Sequence, residues 1–187
     1  MLKIWFFLGS ILACSGGCDG NRFNDPTLPV GIHPAPDCQQ EIGERVCNLV
    51  LMDQHDERWE LYEHYKEVVL LDLSAMWCGP CQYAAMYAQS LEDDYSADGF
   101  QYVTVLVENF YGEGTSLPEV QFWGETFEIT TAPVLQGTPD ILDMNSAEGY
   151  PLEAYPMFVL IDPNLRMHWG MYGFDEEKIR SKIEELL

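Results

Sequence analysis

The chain has 187 residues, 47% of them apolar and 13% aromatic, and its formal net charge is −22. The apolar content excludes an intrinsically disordered chain, and 9 basic against 31 acidic residues argue against nucleic acid as a partner, because phosphate binding needs basic patches. We interpret the acidity as a surface that keeps the protein soluble and monomeric, with attraction of basic partners as the alternative.

The N-terminus is predicted to be an export signal. Lys3 precedes a short, mostly apolar run that cannot span a bilayer and has the length of a signal-peptide core. The segment ILAC at residues 11–14 resembles a bacterial lipobox, in which the cysteine becomes the lipidated first residue. We therefore predict a lipoprotein signal over residues 1–13, lipidation of Cys14 and a bacterial protein anchored to a membrane and facing the periplasm. Cleavage before Cys18 and an ordinary secretory signal are alternatives that also place the chain outside the cytoplasm.

A flexible tether is predicted over residues 14–37, which are rich in Gly, Pro, Asn and Asp and show no helical or strand periodicity. From about Cys38 the composition becomes that of a folded domain. We predict one domain over residues 38–187.

Export also bears on the cysteines, because disulfides persist outside the cytoplasm. Cys38 and Cys47 flank a loop-like segment and are predicted to form a structural disulfide, with two free or buried thiols as the alternative. If Cys14 is lipidated, Cys18 is left without a partner cysteine. If Cys18 is lipidated instead, the other four cysteines form two pairs. The even number of remaining cysteines therefore argues mildly against lipidation of Cys14.

The spacing of apolar residues predicts alternating strands and helices after the tether. Residues 68–73 form a continuous apolar run, typical of a strand buried on both faces of a sheet and interrupted only by Asp72. The order along the chain predicts an α/β domain. The predicted strands are 46–52, 58–62, 68–73, 102–107, 157–161 and 165–171, and the predicted helices are 78–95, 118–127, 138–145 and 175–187.

The segment SAMWCGPCQYAAM, residues 74–86, places a Cys-x-x-Cys pair at the start of the first predicted helix. The helix N-terminus favours a thiolate on Cys78, and Cys81 lies within reach to resolve a mixed disulfide. We expect Cys78 to be exposed and Cys81 shielded. A structural zinc site would need two more ligands, and the histidines are scattered, so no metal site is predicted. A structural staple is the remaining alternative, although so short a loop removes little chain entropy.

Residues 77–81, WCGPC, are similar to the thioredoxin active-site motif at all five positions. Asp72, six residues before Cys78, resembles the buried acid that thioredoxins place behind the active site, and Tyr155-Pro156 resembles their cis-proline segment. The resemblance covers about residues 45–187. It implies a thioredoxin-like fold with a central mixed sheet flanked by helices, an N-terminal β-hairpin, an insertion before the cis-proline strand and a cis Tyr155–Pro156 bond.

The insertion, the front hairpin and the anchor together resemble the membrane-tethered TlpA/ResA-like redoxins. Members of that group reduce disulfides in exported proteins, including clients of cytochrome c maturation. Two features differ from these families. Asp72 occupies a position that is often Asn in this branch, and the basic residue that often neighbours the buried acid in thioredoxins is missing from residues 102–107.

The resemblance implies roles for individual residues. Cys78 attacks, Cys81 resolves, and Asp72 accepts or relays the proton of Cys81. Trp77, Tyr155 and Pro156 would contact the substrate; the last of these would offer a backbone edge to an extended client segment. A core role is the alternative for Asp72, Trp77 and Tyr155.

The implied partners are disulfide-bearing exported proteins and an electron donor in the membrane or periplasm, and no cofactor is expected. Other functions remain open at this point. A peroxiredoxin-like peroxidase would need an arginine beside the reactive cysteine, for which Arg58 and Arg166 are available. A copper-delivery protein would favour a longer cysteine spacing together with His. A non-catalytic tethered binding domain is the alternative that is not an enzyme.

Overall fold

The computed structural model describes residues 28–33, 37–142 and 149–187. The predicted signal, Cys14 and Cys18 lie outside the described residues and stay predictions. The described strands are β1 (Gly31–His33), β2 (Asn48–Met52), β3 (Arg58–Glu60), β4 (Val68–Ala75), β5 (Phe100–Glu108), β6 (Val134–Gln136), β7 (Met157–Ile161) and β8 (Met167–Tyr172). The described α-helices are α1 (Gly79–Tyr95), α2 (Leu117–Thr126) and α3 (Glu176–Glu184). Within these ranges, no helix has the length and apolar character needed to cross a bilayer.

The strands form two sheets. The larger sheet has the order β6-β5-β4-β7-β8, in which β4, β5 and β6 are parallel and β7 and β8 run antiparallel. The smaller sheet is antiparallel and has the order β1-β2-β3. The mixed central sheet and the N-terminal hairpin are therefore as predicted.

Both faces of the central sheet are covered, which explains why β4 reads as an uninterrupted apolar run. Val68 and Leu70 face a cluster built from α1, α2 and α3. The alternate residues Val69, Leu71 and Leu73 face a second cluster to which the smaller sheet contributes. All eight residues of β4 are buried as a result.

Three predicted elements differ from the structure. Gly31–His33, expected within the tether, form β1 because they pair with the outer edge of β2. The helix expected over residues 138–145 is only a 3-10 turn at Pro139–Ile141; Leu142 is extended and Tyr150 N–H donates to the Ile141 carbonyl at 2.9 Å. Residues 143–145 of that expected helix lie outside the described ranges. The strand expected over residues 58–62 ends at Glu60, where the 3-10 helix Leu61–His64 begins.

The predicted disulfide between Cys38 and Cys47 is present, with an S–S distance of 2.09 Å and Cα atoms 4.9 Å apart. The loop that it closes pairs with the outer edge of β8. Gly43 N–H donates to the Met167 carbonyl at 2.7 Å, and Met167 N–H donates to the Glu44 carbonyl at 3.0 Å. The disulfide therefore holds a short additional strand-like segment against the end of the central sheet.

Candidate active site

The Cys-x-x-Cys pair lies where β4 ends and α1 begins. Cys78 is the N-cap of α1, and its Sγ accepts a hydrogen bond from Cys81 N–H at 3.2 Å. Pro80 falls in the first turn, where its missing N–H leaves no helical bond unmade. The helix thus directs its free N–H groups and the positive end of its dipole at the sulfur of Cys78.

The two sulfurs form a disulfide, with Cα atoms 5.2 Å apart. Cys78 is 4% exposed and Cys81 0%. Cys81 is shielded as predicted, whereas the expectation that Cys78 is exposed is wrong for this disulfide form. The backbone N–H of Cys78 donates to the Ala75 carbonyl at 3.1 Å, across the junction between β4 and α1.

Asp72, near the middle of β4, is fully buried. Its position in β4 places it on the same face as Val68 and Leu70, whose cluster also contains Cys81. Both carboxylate oxygens accept hydroxyl hydrogen bonds, Oδ1 from Ser74 at 2.5 Å and Oδ2 from Tyr102 at 2.9 Å.

Burial dominates the acid strength of Asp72. Loss of water raises the pKa of its carboxyl from 3.8 to about 6, against the opposing effect of the two hydroxyl donors. No cation contributes to the shift. A carboxyl with a pKa near 6 can exchange a proton at neutral pH, which is what a relay to a buried thiol requires.

Pro156 and Tyr155 form the opposite wall of the site. The Tyr155–Pro156 peptide bond is cis, as predicted. The register of β4 and β7 pairs Leu73 with Met157, so Pro156 lies next to the end of β4 from which the cysteine motif continues. The carbonyl of Pro156 accepts from Gly173 N–H at 2.8 Å, which ties this wall to the loop after β8.

The fold that carries this site is shared by solved structures. A thiol:disulfide interchange protein of the thioredoxin family from Chlorobium tepidum TLS matches with a TM-score of 0.62 and 15% identity, over 82% of this chain and 99% of that one. A thiol:disulfide interchange protein from Bacteroides sp. matches with a TM-score of 0.62 and 15% identity, over 78% and 89%. The exposed lipoprotein thioredoxin of Streptococcus pneumoniae strain TIGR4 matches with a TM-score of 0.58 and 24% identity, over 74% and 99%.

The chain has a thioredoxin-like fold. No protein-family model matches its sequence. No curated protein matches it either. The evidence for the thioredoxin-like fold is thus structural, and the motif at residues 77–81 is what the sequence adds to it.

Glu108 is a residue of this candidate site that the sequence analysis missed. It ends β5, and its backbone carbonyl accepts from Met76 N–H at 2.9 Å. Its Oε2 accepts from Trp77 Nε1 at 2.9 Å and its Oε1 from the Tyr155 hydroxyl at 3.2 Å. One carboxylate therefore joins the residue before the cysteine motif to the residue before Pro156.

Trp77 and Tyr155 also contact each other directly. Their rings meet edge to face with centroids 5.7 Å apart. Trp77 is 51% exposed, so a core role is wrong for it, and Tyr155 is half-buried. Burial and the adjacent Glu108 charge both raise the pKa of Tyr155, which keeps its hydroxyl protonated as the donor.

A second aromatic group flanks the motif on the side of α1. Tyr83 and Tyr87, one turn apart, both pack against Phe174, which in turn contacts Phe158 in β7. Tyr83 is 53% exposed. The disulfide is thus bordered by aromatic side chains on two sides.

The arginines that a peroxidase would need are engaged elsewhere. Arg58 pairs with Glu60 at 2.6 Å on the smaller sheet, and Arg166 donates to the carbonyl of Gly43 at 2.8 Å. Among the described residues, no group of three or more His, Cys, Asp or Glu side chains is arranged to hold a metal ion.

Proposed function

We propose that this protein is an extracytoplasmic thiol-disulfide oxidoreductase that reduces disulfides in exported proteins through Cys78 and Cys81. The observation that carries the proposal is the cysteine pair at the N-terminus of α1, together with a buried carboxyl in the preceding strand β4 and a cis-proline directly before β7. The solved structures that share this fold include thiol:disulfide interchange proteins, which supports the same chemistry.

The reaction is an exchange of sulfur–sulfur bonds. In the reduced protein, the Cys78 thiolate attacks one sulfur of the client disulfide, which forms a mixed disulfide and releases the other client sulfur as a thiolate that takes up a proton. Cys81 then loses its proton and attacks Cys78, which releases the second client thiol. The Cys78–Cys81 disulfide is the product, and an electron donor returns two electrons and two protons to restore the dithiol.

The surroundings of the pair supply what each step needs. The N–H groups at the start of α1 stabilise the Cys78 thiolate. Asp72, as its carboxylate, accepts the proton of Cys81 when the mixed disulfide is resolved. Pro156 directly precedes the buried strand β7, and the backbone at this position pairs with an extended segment of the client.

Insulin reduction with dithiothreitol as the electron source tests this function. We expect the wild type to accelerate precipitation of the insulin B chain and Cys78→Ser to abolish the acceleration. The double variant Cys38→Ser/Cys47→Ser removes two cysteines outside the site and is the matched control, provided that circular dichroism shows it folded. An inactive wild type refutes the proposal, and peroxide consumption faster than insulin reduction favours the peroxidase alternative.

The direction of electron flow follows from the reduction potential of the pair. The Gly-Pro spacer resembles reducing thioredoxins, so we expect a value nearer to about −270 mV than to the roughly −120 mV of a strong oxidant. Equilibration with glutathione buffers measures it. A value near that of the oxidant would reverse the proposed direction.

The proposed location rests on the N-terminal sequence. We propose that Cys14 carries lipid and anchors the protein at a membrane facing the periplasm, where exported clients are met. The exposed lipoprotein thioredoxin that shares the fold supports this location. Fractionation of cells expressing Cys14→Ala and, separately, Cys18→Ala tests it, and the variant that leaves the membrane fraction identifies the lipidated cysteine.

A further inference from the structure

The charges are distributed unevenly along the chain. Residues 67–165, which contain both cysteines of the motif, Asp72, Glu108 and Pro156, carry 16 Asp and Glu residues and no Lys, Arg or His. The described lysines and arginines all lie outside this stretch: Arg45, Arg58, Lys66, Arg166, Lys178, Arg180 and Lys182. The segment that builds the site therefore supplies no cation of its own to a bound client.

Glu108 is the acidic residue at the centre of this arrangement. Its two hydrogen bonds come from neutral donors, the indole of Trp77 and the hydroxyl of Tyr155, and no ion pair to it is present among the described residues. A carboxylate has about four acceptor sites, and these donors use two of them. Glu108 therefore retains the capacity to accept further hydrogen bonds from a bound client.

The aromatic surroundings suit the same kind of ligand. Trp77 contacts Glu108 and remains 51% exposed, and an exposed aromatic face attracts a lysine or arginine head group. The loop that follows Glu108 exposes Phe110 and Tyr111, at 53% and 87%. Since Trp77 directly precedes Cys78, a cation held here belongs to a residue close to the client's reacting cysteine.

We propose that Trp77, Glu108 and Tyr155 form a docking surface that selects client segments with a lysine or arginine near the target cysteine. The surface is called here the Glu108 clasp. This inference rests on the proposed function and adds the class of client to it. Glu108 acts in two ways: it fixes the spacing between the two walls of the site, and it provides the negative charge that a cationic segment meets.

The test uses short peptides that differ at one position. Each is held by a disulfide that separates a fluorophore from a quencher, and the residue two places from the target cysteine is Lys, Gln or Glu. Reduced protein, freed of dithiothreitol, is mixed with each peptide and the second-order rate constant is measured. We expect the Lys peptide to react about fivefold faster than the Gln peptide, and the Glu peptide more slowly than either, with the differences shrinking as salt is added.

Glu108→Gln is the informative variant, because it keeps the size of the side chain and removes the charge. The expected result is a Lys-to-Gln ratio close to one; the ratio cancels any loss that affects both peptides. Glu113→Gln, which removes a charge five residues away in the chain, is the control and should keep the wild-type ratio. The proposal is overturned if wild type shows no preference, if the preference survives Glu108→Gln, or if Glu113→Gln lowers it equally.

Failure of the proposed function gives a different result. If wild type reduces none of the peptides, the oxidoreductase assignment fails. The Glu108 clasp is then tested separately, by using calorimetry to measure the binding of peptides in which Ser replaces Cys. Tighter binding of the Lys peptide to wild type than to Glu108→Gln supports the clasp. Equal binding overturns it.

Discussion

Replacing Asp72 with Asn should make the protein more stable at neutral pH. The carboxyl is fully buried, and its pKa is raised from 3.8 to about 6 by loss of water. A raised pKa means that the folded state holds the proton more tightly than the unfolded state, so its stabilising effect is complete below pH 3.8 and is lost as the pH rises through 6. Each pKa unit corresponds to about 1.36 kcal/mol, so the difference corresponds to about 3 kcal/mol.

The measurement is urea unfolding of the oxidised wild type and Asp72→Asn at intervals between about pH 4 and pH 8. The free energy of unfolding of the variant relative to wild type should rise by about 2.5 kcal/mol across this range, because a small part of the full difference is already present at about pH 4. Most of this rise should be complete near about pH 6.5. Asp98→Asn, which removes an exposed carboxylate, gives the effect of one surface charge for comparison. Parallel pH profiles for wild type and Asp72→Asn would refute the assignment of a burial-raised pKa.

Three further predictions concern other parts of the fold. Cys81→Ser should accumulate mixed disulfides with clients, visible as bands that disappear on reduction in non-reducing gels, whereas Cys78→Ser should accumulate none; trapping by the latter alone would exchange their roles. Breaking the Cys38–Cys47 disulfide by a double Ser substitution should lower the free energy of unfolding by about 2–3 kcal/mol, and an unchanged urea midpoint would show that the bond does not contribute. Gln54 is buried, and its side-chain amide donates to the Ala132 carbonyl and accepts from Val134 N–H at the start of β6. Gln54→Leu should lower the free energy of unfolding by about 2–3 kcal/mol, because both peptide groups lose their partner. A decrease below about 0.5 kcal/mol would contradict this.

The central sheet could be predicted because its strands are covered on both faces. Burial on both faces demands apolar residues at every position, and residues 68–73 and 157–161 show this without any tertiary information. The position of the cysteine motif could also be predicted, because the apolar pattern indicates a strand directly before it and a helix directly after it. Asp72 stood out for the same reason, as a single acid in an apolar run.

The elements that the sequence did not reveal depend on partners distant in the chain. Gly31–His33 form a strand only because the edge of β2 is free to pair with them. Glu108 could not be distinguished by type among 31 acidic residues. A positional signal was present, however: β4 and β5 are parallel neighbours, so the residue that ends β5 lies beside the point where the cysteine motif begins.

The loop closed by Cys38 and Cys47 covers part of an open edge of the central sheet. β8 is an edge strand, and a free edge offers unpaired N–H and C=O groups to any polypeptide that can add itself as a further strand. By bonding to both backbone groups of Met167, Gly43 and Glu44 occupy the start of that edge. Cys38 and Cys47 are 5% and 0% exposed, so thiols in solution have little access to the bond that holds the loop in place. Strand addition by another polypeptide at the start of β8 is thereby blocked.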